Sequence, residues 1–196
     1  ALAAVLALAT PFAQAEDHHS AENHFAGAYV VLTNEWKRPD VQVDGEKISK
    51  SESAPSIGVG YNWALSPQGT LGLKLSFDTR SGEYGVGDVG GFETEVLEKS
   101  HYSVALEPGW AFNNELLVFG IMAYHSAKGD LVVDGTSQGT AHLSGFGYGV
   151  GFKYALPYHL FLTGEVQRTD YNSTTIGGTS LKPTSTVTAV GIGYHF

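Results

Sequence analysis

The chain has no cysteine, so a disulfide framework, a zinc–thiolate site and a thiol nucleophile are all excluded. Beyond its first fifteen residues it also lacks any apolar run near the roughly 20 residues that a membrane-spanning helix needs. A helical membrane protein is therefore excluded. Basic residues are scarce, with 11 Lys and Arg against 20 Asp and Glu and a formal net charge of −9. Nucleic acid is held through clustered Lys and Arg, and this chain offers no such cluster.

What is abundant is glycine, at 25 of 196 residues, together with ten Tyr and ten Phe. Twisted strands with aromatic belts use this composition. The hydrophobic content of 42% is that of an ordinary soluble protein, and also that of a barrel in which only alternate residues meet lipid.

Residues 1–15 form an apolar run closed by Ala13-Gln14-Ala15, the small-x-small pattern of a cleavage site, and read as the remnant of a secretory signal peptide. Residues 16–24 then read as a short polar, periplasmic lead. His18, His19 and His24 fall in this lead, and a polar lead-in explains them better than a metal site.

From residue 25 to 196 the sequence is expected to form one barrel of eight antiparallel strands. The last strand sets the pattern: Thr186, Thr188, Val190, Ile192, Tyr194 and Phe196 alternate with Ala189, Gly191, Gly193 and His195. A period of two marks an extended strand with two unlike faces. The first strand, from about Phe25 to Thr33, alternates poorly and its faces stay unassigned. The second puts Ile57, Val59, Tyr61, Trp63 and Leu65 outward. After a turn at Ser66-Pro67-Gln68-Gly69, the third puts Leu71, Leu73, Leu75 and Phe77 outward, with Lys74 and Asp78 opposite.

The fourth strand carries Tyr102, Val104, Leu106, Trp110 and Phe112 outward and His101, Ser103, Ala105 and Glu107 inward, and its Pro108 calls for a bulge. Asn113-Asn114 reads as a two-residue turn, which would pair Trp110 with Leu117, Pro108 with Phe119 and Leu106 with Ile121. The fifth strand is then expected to show Leu117, Phe119 and Ile121 outward and Val118, Gly120, Met122 and Tyr124 inward. The sixth alternates Phe146, Tyr148, Val150, Phe152 and Tyr154 with Gly145, Gly147, Gly149, Gly151 and Lys153. The seventh sets Leu160, Leu162, Gly164 and Val166 against Phe161, Thr163, Glu165 and Gln167.

Connections near 66–69, 113–114 and 155–159 are short, whereas 34–54, 81–98, 126–140 and 170–183 read as long loops. Outer-membrane barrels have this asymmetry, with short periplasmic turns and long external loops. Trp63, Trp110, Phe112, Tyr154, Tyr158, Tyr194 and Phe196 all fall at the short-turn end and would make a periplasmic aromatic girdle. A soluble barrel of lipocalin type would turn its apolar face inward. Its exterior would then consist of the glycine columns and few charges seen here, too little polar surface to meet water.

The terminal Gly191-Ile192-Gly193-Tyr194-His195-Phe196, the Ala-Gln-Ala signal end and the eight alternating strands resemble the small Gram-negative outer-membrane barrels, the OmpA transmembrane-domain and OmpX-like, porin-family group. That resemblance implies an outer-membrane location, contact with lipid and lipopolysaccharide, and an assembly signal at Ile192, Tyr194 and Phe196 read by the barrel-assembly machinery. Unlike full-length OmpA proteins, the protein is expected to carry no periplasmic peptidoglycan-binding domain.

Chemistry-bearing patterns are few. Gly145-x-Gly147-x-Gly149-x-Gly151 lies within a strand with no helix after it, so it cannot cradle phosphate, and no cofactor is expected. Asn172-Ser173-Thr174 fits a glycosylation sequon that means little in a bacterial chain. His142 and Ser144, with Asp170 expected roughly opposite Ser144, resemble the serine and histidine of lipid A deacylase barrels. Gly145 stands where those enzymes carry Asn.

Lys74, Glu107, Lys153 and Glu165 all point inward by alternation, and charges in so narrow a space must pair. An eight-stranded barrel is just filled by its own side chains. The expected protein is therefore a non-enzymatic structural or surface-interaction barrel whose external loops meet an extracellular partner. A narrow channel for ions or small solutes and a lipid A hydrolase are the alternatives.

Overall fold

The computed structural model describes residues 23–43, 46–48, 52–79, 82–89, 92–133, 136–172, 174–176, 179–181 and 184–196. The alternating sequence forms strands throughout: β1 (Gly27–Val43), β2 (Glu46–Ile48), β3 (Glu52–Ala64), β4 (Gly69–Asp78), β5 (Gly82–Val89), β6 (Phe92–Ala111), β7 (Leu116–Val133), β8 (Thr136–Ala155), β9 (Leu160–Tyr171), β10 (Thr174–Ile176), β11 (Thr179–Leu181) and β12 (Thr184–His195). Eight of them, β1, β3, β4, β6, β7, β8, β9 and β12, run antiparallel in chain order, and β12 pairs with β1 to close the wall. Closure satisfies every edge, as a strand structure in lipid must.

Pairing fixes the width of the barrel. Followed once around from Ala28 through Tyr61, Leu73, Leu106, Met122, Tyr148, Arg168 and Thr186, the paired residues return to β1 at Arg38, ten residues further on. With a rise of about 3.3 Å per residue and about 4.7 Å between strands, that offset tilts the strands by roughly 40° and sets a wall radius of about 8 Å. Side chains projecting inward from all sides fill such a space.

Outward positions carry Phe77, Tyr102, Leu106, Phe146, Tyr148, Val150, Phe152, Leu162, Val166, Val190 and Ile192, all exposed. Inward positions carry Tyr29, Val31, Lys74, Ala105, Glu107, Lys153, Phe161, Thr163 and Ala189, all buried. This is an oily exterior around a mixed lumen, the reverse of a soluble barrel. On β1 the structure assigns faces that the sequence left open, with Tyr29, Val31 and Lys37 inward and Leu32 and Trp36 outward. The strand itself starts at Gly27, and Phe25 precedes it in a turn, its side chain fully buried in the lumen.

The fifth predicted strand, β7, has its faces inverted relative to the sequence expectation. Trp110 pairs with Val118, Gly109 with Phe119 and Leu106 with Met122, one residue away from the register of a two-residue turn. The cause is the side chain of Asn113, whose Oδ1 accepts hydrogen bonds from the Glu115 N–H at 2.9 Å and the Leu116 N–H at 2.7 Å. Phe112 N–H then donates to Leu116 O at 2.9 Å, closing a three-residue loop. A one-residue slip turns every side chain over, so Leu117, Phe119, Ile121 and Ala123 are buried inside while Val118, Met122 and Tyr124 face out. Asn113→Ala removes both bonds, and an Asx turn of this kind is worth about 1–2 kcal/mol. Denaturant unfolding of the refolded barrel should show that loss, with Asn114→Ala as a near-neutral control; equal midpoints for the two would mean the loop is closed by something else.

Two further expectations are corrected. Pro108 sits in a gap in pairing and makes no bulge: the β6–β7 register is the same at Leu106 and at Gly109, and only Glu107 and Pro108 drop out between them. The segments read as loops at 34–54, 81–98 and 126–140 are largely strand, and 170–183 holds the β10–β11 hairpin, since β1 runs to Val43, β3 begins at Glu52, β6 begins at Phe92, and β7 and β8 run on until Val133 pairs with Thr136. Continuing the ladder pairs backbone groups that a loose loop would leave to water. The tight connections after Ala64, Ala111 and Ala155 lie together at the opposite end.

Candidate functional site

The four inward charges of β4, β6, β8 and β9 meet at mid-height in the lumen. Lys74 Nζ donates to both oxygens of Glu165, at 2.6 and 2.8 Å, and lies 3.0 Å from Glu107 Oε1. Lys153 Nζ donates to Glu107 Oε2 at 2.9 Å, and the Tyr29 hydroxyl donates to the same oxygen at 3.1 Å. The order across the lumen is thus Lys153, Glu107, Lys74, Glu165, with the sign alternating along the row. Glu107 is the pivot, with its side chain 1% exposed.

Around this chain and toward the short turns, the lumen is largely apolar. Phe25, Ala105, Ala111, Leu117, Phe119, Ile121 and Ala123 form one packed cluster and Tyr29, Val31 and Phe161 another. Both clusters cap the ion chain, because the Lys153 ammonium lies 4.0 Å from the ring centre of Tyr29, 4.9 Å from that of Phe119 and 5.9 Å from that of Phe161. The negative faces of these rings supplement Glu107 as partners for the cation. Phe161 also packs edge-on to Tyr29 and tilted against His195. A Cβ at Gly193 would run into the Phe161 ring, so only glycine there lets the plug seat. Asn62 Nδ2 donates to Phe25 O at 2.8 Å, tying the N-terminal turn across the mouth.

Above the ion chain the lumen is polar. Asp78 receives the ammonium of Lys37 and lies 3.2 Å from His101 Nδ1. His101 Nε2 and His125 Nδ1 are 3.0 Å apart with their rings stacked, and Gln167 Nε2 contacts His125 Nε2. One set of tautomers satisfies the row with both imidazoles neutral: Gln167 donates to His125, His125 Nδ1–H to His101, and His101 Nδ1–H to Asp78. Beside it is a cavity of about 40 Å³, room for about three waters.

Sequence alternation had placed Asp78, His101, Phe161 and Gln167 inward without joining them, and it missed His125 and Tyr29. The signal was there for His125, an odd-numbered residue of β7. The mistaken β7 register hid it.

A family model described as an outer membrane protein beta-barrel domain matches residues 1–196. The chain belongs to the outer membrane protein β-barrel family. This outer-membrane barrel is similar in fold to Neisserial surface protein A, with 12% identity and a TM-score of 0.58 over 87% of this chain and 99% of that one. It is similar also to Ail, the attachment invasion locus protein of Yersinia pestis, with 13% identity and a TM-score of 0.54 over the same shares. A further structure of Ail, in complex with the heparin analogue sucrose octasulfate, has 14% identity and a TM-score of 0.53. No curated protein matches the sequence. As a member of this family, the protein resides in the Gram-negative outer membrane.

On the exterior of this outer-membrane barrel, Trp63, Trp110, Phe112, Tyr154, Tyr158, Tyr194 and Phe196 are exposed at the short-turn end. Tyr158 and His159 both adopt left-handed backbone, with φ of 64° and 62°, which makes the turn before β9 tight. Ile192, Tyr194 and Phe196 share the outward face of β12, and Phe196 N–H donates to Ala28 O at 3.0 Å. At the other end the register sets Asp170 opposite Phe146, not opposite Ser144. Ser144 Oγ instead accepts a hydrogen bond from Asn172 Nδ2 at 2.8 Å. The His142 side chain lies outside the described residues, as do His18, His19 and the signal remnant.

Proposed function

We propose that this outer-membrane barrel is a non-enzymatic surface-interaction protein that works through its external hairpins. The observation that carries this reading is the filled lumen, where an ion chain and an aromatic plug occupy the cross-section in series. A lumen occupied in this way favours the outward ends of the strands as the place for recognition. The hairpin of β5 and β6 supplies a chemistry, since Glu83, Asp88, Glu93, Glu95 and Glu98 occur in 82–98 with no Lys or Arg among them. Such a segment attracts a cationic protein or peptide at a distance and repels a polyanion.

The test is a binding screen of intact cells against basic and acidic peptides. Expected is salt-sensitive capture of basic peptides, lost when those five carboxylates become amides; capture unchanged by that exchange sinks the reading. The polar external half of the lumen favours one second reading, a narrow conduit for ions. Steady single-channel conductance of the unaltered barrel in planar bilayers would establish that reading in place of the first. The hydrolase alternative has less support, because the register sets no carboxylate opposite Ser144. Loss of a lipid A acyl product in Ser144→Ala cells is the result that would revive it.

A further inference from the structure

The chain has three arginines, and two of them stand together on the outer wall. Arg38 of β1 and Arg168 of β9 both point outward and are exposed, and both pair with Thr186 of β12, which lies between them. Two strand spacings separate their Cα atoms by about 9–10 Å, so both guanidinium groups can reach one tetrahedral anion.

Their height is informative. Leu160 starts β9 at the short-turn end, and Arg168 is eight residues beyond it. At about 3.3 Å per residue on a strand tilted by roughly 40°, that is about 20 Å up the wall. Each step to the next strand adds about 3 Å, which puts Arg38 at about 26 Å. The apolar band of such barrels is about 25 Å tall, so the two arginines bracket its upper edge. Val166, Val190 and Leu32 face lipid just below, and Trp36 lies beside them.

A guanidinium facing outward at that height meets lipid headgroups, not bulk water, and requires a counter-charge. Among the described side chains, one carboxylate lies near. Asp170 Oδ1 lies 3.6 Å from Arg168 Nε with both side chains about half exposed, a contact of the kind that contributes little.

We propose that Arg38 and Arg168 form a binding site for a phosphate of lipid A, the anchor of lipopolysaccharide in the outer leaflet. A sugar phosphomonoester carries up to two charges and three acceptor oxygens, enough for two forked guanidinium groups at once. A phospholipid phosphodiester has one charge, and in phosphatidylethanolamine the neighbouring ammonium already offsets it. The site depends on the outer-membrane location and not on the cationic-partner reading of the hairpins, so either can fail alone.

The experiment titrates the refolded barrel in neutral detergent with lipid A, enzymatically dephosphorylated lipid A, phosphatidylethanolamine and inorganic phosphate. Basic residues at such a surface each contribute about 1 kcal/mol, so R38Q/R168Q should weaken lipid A binding by about tenfold or more. K128Q, which removes another outward cation on β7, should not. Dephosphorylated lipid A should bind the unaltered protein as weakly as lipid A binds the double variant. Equal binding of lipid A and its dephosphorylated form overturns the proposal even if the double variant folds poorly, and so does unchanged affinity in R38Q/R168Q. Inorganic phosphate or phosphatidylethanolamine bound as tightly as lipid A would overturn the lipid A assignment and leave a general anion site.

Discussion

Replacing Glu107 with Gln is expected to cost the refolded barrel about 3–5 kcal/mol, the usual penalty for removing one partner of a buried ion pair. Glu107 is the anion between two ammonium groups, with Lys153 at 2.9 Å and Lys74 at 3.0 Å. An amide can still accept the Tyr29 and Lys153 hydrogen bonds, but it supplies no charge. Lys74 keeps Glu165 at 2.6 Å, whereas Lys153 has only aromatic faces left to offset it. The loss should therefore be recovered mainly by adding Lys153→Met, and less by Lys74→Met, which would leave Glu165 without its cation. Urea unfolding in a double-mutant cycle measures this coupling. Additive losses for Glu107→Gln and Lys153→Met would show that the two groups do not interact despite their contact.

The second large effect belongs to the plug. Phe161 is 1% exposed and separates Lys153 from a hollow of about 500 Å³ at the periplasmic mouth, lined by His24, Phe25, Tyr158, His159 and His195. Phe161→Ala is expected to cost about 3–5 kcal/mol, from lost burial and from the cavity left behind. It should also do what Glu107→Gln does not do directly, which is to let water from that hollow reach the ion chain. Small, flickering conductance in planar bilayers is the expected signature, with Leu162→Ala on the lipid face as a silent control. If Phe161→Ala unfolds as predicted and stays electrically silent, the ion chain alone closes the lumen. The plug would then serve stability only.

The two expectations separate stability from closure. Glu107 holds charges in register across four strands, and Phe161 excludes water from one side of them. Gly193 belongs to the same device, because the Phe161 ring occupies the space where any other side chain at that position would begin.

Much of this was readable along the chain. A period of two is a local property, so all eight wall strands could be recognised and seven of them given faces, six correctly, from residues that lie side by side in sequence. Tight turns and long connections segregated in the same way, and the inward positions of Lys74, Glu107, Lys153 and Glu165 followed from counting by twos. What counting could not provide was the face of β7, because both of its parities are apolar: Leu117, Phe119 and Ile121 on one side, Val118, Met122 and Tyr124 on the other. There the hydrophobic pattern is silent, and two side-chain hydrogen bonds at Asn113 decide.

Nor could the sequence say which charges meet. Lys74 and Glu165 are 91 residues apart, and they touch because the wall closes with an offset of ten residues, which sets the height of each strand against those across the lumen. That offset is the sum of all eight pairings and belongs to no single segment. The face of a strand is decided by neighbours in sequence, whereas contacts across the lumen exist only once β12 has found β1.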